Sequence, residues 1–395
     1  MKRAVRSFVS VLTTVALACG LSGCWDIKSV QDVNYFTGIG IDYKDEQYVI
    51  YVQQLDFSSV AKAEGGGGGK SDKPAKSWIG HAKGKSLSAA VMELYRTSQQ
   101  TVFWGHLSTV VISESLLKSN KLLEVFDALT RSPEIRMTPW IFGTNEPMSD
   151  VFSTLAFFFL SPLNTILYAP ESSFKQKSAI VPMRMYRFVR ETRDPGCTVL
   201  LPSLGVSSDT WEVNRKPDAK LEMTGVYALL NERYKNWYSL EQMQGVKWMS
   251  KYNRTSRLLL EREGKPLATL RIGNPKAKIK IVPGASDDLQ VTFSIKMRAE
   301  MLELWQEAGE RELEQAAVDH VRADIEKSMK ESMKSRSDLY NIEHELYRKH
   351  YKIWKRLTHN GQVAFEYGKI PELKIDVQIS DSGMYKLNRK FSPYD

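Results

Sequence analysis

Residues 34–57, NYFTGIGIDYKDEQYVIYVQQLDF, decide the fold class. Two apolar, β-branched runs, Asn34–Asp42 and Tyr48–Phe57, flank the polar Tyr43-Lys44-Asp45-Glu46-Gln47. The alternation in YVIYVQQLDF has the two-residue period of a strand, and this spacing predicts a hairpin whose turn follows Asp42. Working outward, Trp78–Ala82 re-enters the sheet. Ser86 is placed to cap a helix through Tyr95, with Leu87, Val91 and Leu94 on one side. Phe103–Ser113, FWGHLSTVVIS, reads as a buried strand, Leu122–Leu129 as a helix, and Met137–Gly143 as a further strand. Strands and helices alternating at these lengths define an α/β layer unit over residues 24–180.

Between the hairpin and the next strand lies Ser58–Ser77, a glycine-rich loop with five consecutive glycines, Gly65–Gly69. Glycine buries nothing and loses much entropy when ordered, so the segment reads as a surface loop. Its end, Gly69-Lys70-Ser71, resembles a phosphate-binding loop, but the required first glycine is Glu64, whose carboxylate would oppose a phosphate. Phe152–Leu163, FSTLAFFFLSPL, is far shorter than the roughly 20 residues that cross a bilayer. It reads as a core helix ended by Ser161-Pro162, with a docking surface for a membrane partner as the alternative.

A middle unit is expected over residues 181–275, with strands at Leu221–Leu229, Trp237–Leu240, Ser256–Glu261 and Leu267–Ile272 and a short helix at Gln242–Ser250. The last unit, residues 276–395, begins with a strand over Leu289–Ala299. The charge-dense run Glu307–Lys334 then places Val318, Val321, Ile325, Met329 and Met333 three or four residues apart, one apolar stripe on a long helix. Strands at Val363–Tyr367 and Leu373–Ile379 complete an α+β unit. The whole is an α/β to α+β protein of three domains, each with a central sheet packed by helices.

The start of the chain carries its own instruction. Lys2, Arg3 and Arg6 form a positive head, Phe8–Leu21 an apolar run, and Leu21-Ser22-Gly23-Cys24 a small-residue close. This pattern predicts a signal peptide over residues 1–23, cleaved between Gly23 and Cys24, with acylation of the Cys24 thiol. Several acyl chains on one cysteine anchor a protein where one chain would not. Cys19 leaves with the signal and Cys197 remains alone, so no disulfide staples the exported part. The net charge of +9 falls to about +6 without the signal, which favours anionic membrane surfaces. No basic stretch is interleaved with stacking aromatics as a single-strand binder requires.

Enzyme and metal readings find little support. No GxSxG elbow is present, no Cys–His pair is supported locally, and no pair of carboxylates is singled out. His344-Glu345 opens a zinc-like HExxH pattern, but Arg348 stands at its closing position. His350 lies six residues from His344, off the same helical face. His106, beside an apolar run, reads as a packed histidine. The chain is read as a non-enzyme without cofactor or metal.

Several separated motifs carry a resemblance. Cys24-Trp25-Asp26, the run Thr37-Gly38-Ile39-Gly40-Ile41-Asp42 with Val52-Gln53, Trp104-Gly105-His106, and Asp127 to Arg131 with Glu134 and Arg136 occur in order. Leu221–Leu230, Gly245-Val246-Lys247-Trp248, the Glu310–Lys334 run, Asp338 and Trp354 follow. The set resembles the Ger(x)C family, the lipoprotein C subunits of spore germinant receptors, over essentially the whole chain. Where that family often has an FGFG-like stretch after the aspartate, this chain has Leu339-Tyr340-Asn341-Ile342, so the local turn is expected to differ. The resemblance implies a three-domain lipoprotein on the outer face of the spore inner membrane. It would act there with a larger A subunit and a multi-pass, transporter-like B subunit in nutrient-triggered germination, as a scaffold or coupling subunit. The alternative is an extracytoplasmic lipoprotein that captures the nutrient itself.

Overall fold

The computed structural model describes residues 5–8, 11–14, 33–55, 60, 76–177, 179–283, 289–359, 362–363 and 370–381. Gly23, Cys24, Trp25, Asp26, the Gly65–Gly69 run and most of the expected Val363–Tyr367 strand lie outside them.

The hairpin forms from β1 (Val33–Lys44) and β2 (Gln47–Leu55), paired antiparallel with Ile41 opposite Ile50 and Lys44 opposite Gln47. Asp45 and Glu46 both take positive φ, 50° and 57°, as the two-residue turn that matches strand twist requires. β3 (Ser77–Gly84) extends the hairpin antiparallel to β2. Helix α1 (Leu87–Tyr95) follows, its first turn capped by the Ser86 hydroxyl, which accepts from Ala89 N–H.

The stretch read as one strand over Phe103–Ser113 is broken. β4 (Thr101–Phe103) runs parallel to the start of β1, whereas β5 (Thr109–Ser113) pairs further along the same strand. Trp104–Leu107 leaves the ladder between them, with Leu107 N–H turning back onto the Trp104 carbonyl. Helices α2 (Glu114–Lys118) and α3 (Leu122–Arg131) lead to β6 (Trp140–Thr144). Then come α4 (Met148–Ser153), α5 (Pro170–Gln176), α6 (Met185–Arg193), β7 (Thr198–Ser207), β8 (Lys220–Leu230) and β9 (Arg233–Ser239). The sheet order is β9-β8-β7-β6-β5-β1-β2-β3, with β1, β5, β6 and β7 mutually parallel.

β5 shows why the sheet must be covered on both faces. Val110 and Ile112 point into a core formed with α1, α2, α3 and α6, while Val111 points into a second core with α4. Uninterrupted apolar strands of this kind belong to sheets buried between layers.

The expected core helix over Phe152–Leu163 does not form. α4 stops at Ser153, where the Thr154 hydroxyl bonds back to the Asp150 carbonyl (2.8 Å), and Pro162 cannot continue a helix. Two short 3-10 turns, Phe157–Phe159 and Pro162–Asn164, take its place. Phe158 sits at φ 58° with its side chain 90% exposed.

A second sheet is built from β10 (Thr255–Arg262), β11 (Lys265–Pro283), β12 (Leu289–Leu304) and β13 (Glu372–Asp381), in that spatial order. The first three form an antiparallel meander and β13 lies parallel to β12. Between the sheets come α7 (Gln244–Met249), and after β12 the long α8 (Glu310–Lys334), α9 (Ile342–Lys349) and α10 (Tyr351–Leu357). The α8 seam buries Leu313, Ala317, Val321, Ile325 and Met329 against this sheet, with Val318 and Met333 half-buried at its margin.

Residues 181–275, read from sequence as a middle unit, are divided between the two sheets: β7, β8 and β9 complete the first, and β10 with part of β11 starts the second. The alternation of β8 explains how. Tyr227 and Leu229 face the first core, whereas Val226 and Ala228, with Tyr238 of β9, belong to the core around α8.

Candidate functional site

The motif residues occupy four places. At the end of β1, the Asp42 carboxylate is 5% exposed and accepts from the Ser113 and Ser115 hydroxyls and the Tyr43 N–H (2.8 Å), while Lys44 pairs with it at 2.9 Å. Burial by itself would raise this carboxyl, but the two hydroxyls and the Lys44 ammonium outweigh it and hold it below the ordinary value. Ser113 in turn caps α2 through Leu116 N–H, so Asp42 fixes the strand-to-helix corner. Gly38 and Gly40 meet α4 and the chain after it. A Cβ at either would lie 2.8 Å from the Phe152 ring, and from the Tyr168 hydroxyl or the Met148 sulfur respectively. The helix layer packs this closely only because the motif has no side chain there.

The second place is the turn between β4 and β5. The Trp104 indole donates to the Tyr95 hydroxyl (2.7 Å), and its ring meets Phe36 edge-on at 5.0 Å. Glu134 accepts the Trp104 N–H at 3.4 Å. Trp104 and Tyr95 border a groove of about 590 Å³ walled by Val91, Leu129 and Ile135. His106 stands edge-on to Tyr35 (4.9 Å) and Phe103 (5.8 Å). Third, Arg131 donates to Asp127 (2.7 Å) one turn away on α3, both exposed.

The fourth place joins the two sheets. The buried Asp338 carboxylate accepts the Tyr340 N–H (3.2 Å) and Glu343 N–H (2.7 Å), closing the entry to α9. Asn341 takes the left-handed conformation, φ 55°, which asparagine tolerates better than most residues. Its side-chain amide grips both backbone groups of Thr198 on β7, accepting the N–H at 2.7 Å and donating to the carbonyl at 3.2 Å. Beside this clamp lies a cavity of about 220 Å³ between β7, β8, α6, α7 and the Leu339–Asn341 turn. A wider groove of about 1280 Å³ adjoins it. Sequence reading did not assemble this seam, because its walls come from residues 179–200, 226, 243–252 and 339–341. The one signal was the Gly245-Val246-Lys247-Trp248 motif, three of whose neighbours, Met243, Met249 and Ser250, also line the cavity.

These places do not converge. Among the described residues, no three His, Cys, Asp or Glu side chains are grouped to hold a metal, and His344 Nδ1 lies 3.1 Å from the Pro195 carbonyl. Burial pushes the Cys197 thiol up to about 12, with Glu191 and Asp194 adding to the effect, so it is not poised as a nucleophile. No helix of the described residues is long and apolar enough to cross a membrane.

The fold and these places define a protein of two main sheets whose motif residues pack, cap and clamp. The description "Spore germination protein N-terminal domain" matches residues 26–206, and "Spore germination B3/GerAC like, C-terminal" matches residues 224–383. The chain belongs to the Ger(x)C family of germinant-receptor subunits, whose role is in spore germination and whose members are not known enzymes. It is 24% identical over 386 residues to Spore germination protein KC of Bacillus subtilis, spanning 91% of this chain and 90% of that one. Spore germination protein B3 of the same organism is 23% identical over 278 residues, 69% of this chain and 68% of the relative. A solved structure, "Crystal Structure of the GerBC protein", superposes with TM-score 0.54 at 14% identity over 87% of this chain and 97% of that chain, a likeness of fold.

Proposed function

We propose that this chain is the lipid-anchored subunit of a nutrient germinant receptor, held by Cys24 on the outer face of the spore inner membrane. It supports assembly with a larger A subunit and a multi-pass, transporter-like B subunit, and couples nutrient recognition to germination without chemistry of its own. The observation that carries this reading is family membership running through both sheets, residues 26–206 and 224–383. The Leu21-Ser22-Gly23-Cys24 close supports the anchor. Confining the protein to the membrane plane raises its effective concentration near membrane partners, so the anchor itself contributes to assembly.

The test is Cys24→Ala in the full chain. Spore inner membranes are solubilised in detergent and the tagged protein is recovered with whatever accompanies it. The variant is expected to leave the membrane fraction and to lose its multi-pass partner while its thermal melting stays unchanged. Full membrane retention with an intact complex would refute the anchoring role. Recovery of the unaltered protein alone, where a known membrane complex survives the same detergent, would favour direct capture of a small molecule. The seam cavity is the observation that keeps that second reading open.

A further inference from the structure

The seam cavity combines three features that ordinary packing does not need. Its inner wall is apolar, formed by Ile180, Met183, Leu200, Val226, Met243 and Val246. Within that lining sits Lys247, whose ammonium donates to the neutral Gln244 amide and lies 4.5 Å from the centre of the Trp248 ring. No carboxylate of the described residues reaches it at ion-pair distance. The nearby Asp324 instead accepts the Trp248 indole N–H at 2.9 Å. Burial lowers the Lys247 pKa, as expected for a cation withdrawn from water without a full partner. Thr198 also lines the space. It is 1% exposed, and its hydroxyl has no hydrogen-bond partner in the protein.

The rim continues the same sign. Arg187 and Lys251 line both the cavity and the adjoining groove, flanking the Tyr252 ring at 4.9 and 5.1 Å. Glu191 offsets Arg187 at 2.7 Å. Further out, Arg190, Lys278, Lys280 and Lys349 line the groove against Asp194 and Glu345. A concave surface with an excess of positive charge concentrates anions. An apolar pocket with a few convergent polar groups is the usual form of a small-ligand site, and about 220 Å³ is below the roughly 300–1,000 Å³ of sites for drug-sized molecules.

We infer that the seam binds a small organic anion, its carboxylate or phosphate between Lys247 and Lys251 and its apolar body against Leu200, Val226 and Val246. This goes beyond the assembly role and does not depend on it. Such a ligand touches β7 and β8 of the first sheet together with α7 and the Leu339–Asn341 turn, so it lies where the two sheets meet.

The test uses the full-length protein in phosphatidylcholine nanodiscs, with 4-fluorobenzoate and the neutral 4-fluorobenzamide as probes in fluorine NMR. The expected result is saturable binding of the acid, with the amide weaker by about tenfold or more. Lys247→Met should bring the acid to the level of the amide. The surface change Lys251→Glu should weaken the acid alone, and Val246→Phe should displace both. Near-UV circular dichroism confirms that each variant is folded. No saturable binding, equal binding of acid and amide, or binding indifferent to Lys247→Met and Lys251→Glu would overturn the inference. Loss of 4-fluorobenzoate to discs containing phosphatidylglycerol would assign the same anion chemistry to a lipid headgroup and overturn the soluble ligand.

Discussion

Gly245→Ala isolates the contact on which the seam depends. Gly245 opens α7 where it crosses α8, and an added Cβ would lie 2.5 Å from both the Asp324 carbonyl oxygen and the Ile325 Cα, and 2.6 Å from the Tyr340 hydroxyl. Two of those atoms are backbone of a 25-residue helix and cannot step aside. Helix propensity favours alanine by about 1 kcal/mol. Against it, forcing the helices apart costs about 3 kcal/mol at the upper end of overpacking. Moving α7 also strains the Gly245 N–H bond to Ser328 (2.9 Å) and the Trp248 bond to Asp324 (2.9 Å), each worth about 1 kcal/mol. The clash outweighs the propensity gain, and the net loss is about 4 kcal/mol, or roughly 8 °C of melting temperature in a large chain. Urea unfolding followed by tryptophan fluorescence reads this directly, because Trp248 is fully buried at the contact. Gly105→Ala is the control. Its Cβ would meet only the Phe103 ring, at 2.5 Å, and that side chain is exposed and can swing away, so the cost stays under about 1 kcal/mol. A Gly245→Ala protein within about 0.5 kcal/mol of the parent, or a Gly105→Ala protein equally damaged, would refute the reasoning.

The other motif positions make distinct claims. Asp42→Asn should cost about 2 kcal/mol near neutral pH, since hydrogen bonds to a charged acceptor are lost. Because folding lowers this carboxyl, the parent's advantage is full above the ordinary carboxylate range and vanishes as pH falls through the lowered value, which urea midpoints across the acid range will read. Asn341→Ala should cost about 3 kcal/mol, combining the orphaned Thr198 backbone groups with alanine's strain at φ 55°, and Asn341→Gly should recover only the strain. Glu343 shows the opposite pH sign. Burial raises its carboxyl, and the Trp354 indole N–H (3.2 Å) only partly opposes this. Its contribution is therefore full at low pH and lost as pH rises through the raised value, so Glu343→Gln should gain on the parent as pH climbs above the ordinary carboxylate range in thermal melts.

Local signals carried the parts of the fold that depend on a few neighbours. Period-two alternation sufficed for β2 and apolar, β-branched content for β1, and Ser86 sufficed to start α1. Phe103–Ser113 defeated the same reasoning because β4 is only three residues long and exists by pairing with a strand nearly seventy residues earlier in sequence. FSTLAFFFLSPL was apolar enough for a core helix, yet apolar content does not show where Thr154 will fold back on Asp150. The stripe on α8 was legible, but Leu313 and Ala317, which lengthen it toward the N-terminus, came only with the packing. The motif glycines gave no sign in sequence of what they meet: Phe152 for Gly38 and Gly40, a helix backbone for Gly245. The seam was illegible for a simpler reason. Thr198, Lys247 and Asn341 are separated by some fifty to ninety residues, and no periodicity joins them.

That seam also constrains how such a subunit could transmit a signal. A hinge between two sheets needs a connection that few contacts cross, and β8 and β9 deny it, since their two faces belong to different cores. Tyr238 carries the tie further, its hydroxyl bonding Ser335 and Ser337 just beyond the end of α8. Any coupled change must therefore be a shift of packed elements across the seam, with discrete alternatives set by the Asn341 clamp and the α7–α8 contact. The cavity beside the clamp supplies room for that shift on the side of Thr198 and Lys247. An anion that fills it would favour the arrangement in which the cavity exists, and by linkage a partner that selects that arrangement would tighten the anion. Asn341→Ala, which loosens the clamp without entering the apolar wall, should then weaken 4-fluorobenzoate binding in proportion to the stability it removes from the seam. Unchanged affinity in that variant would show that the cavity and the clamp are independent, and the shift across the seam would lose its physical basis.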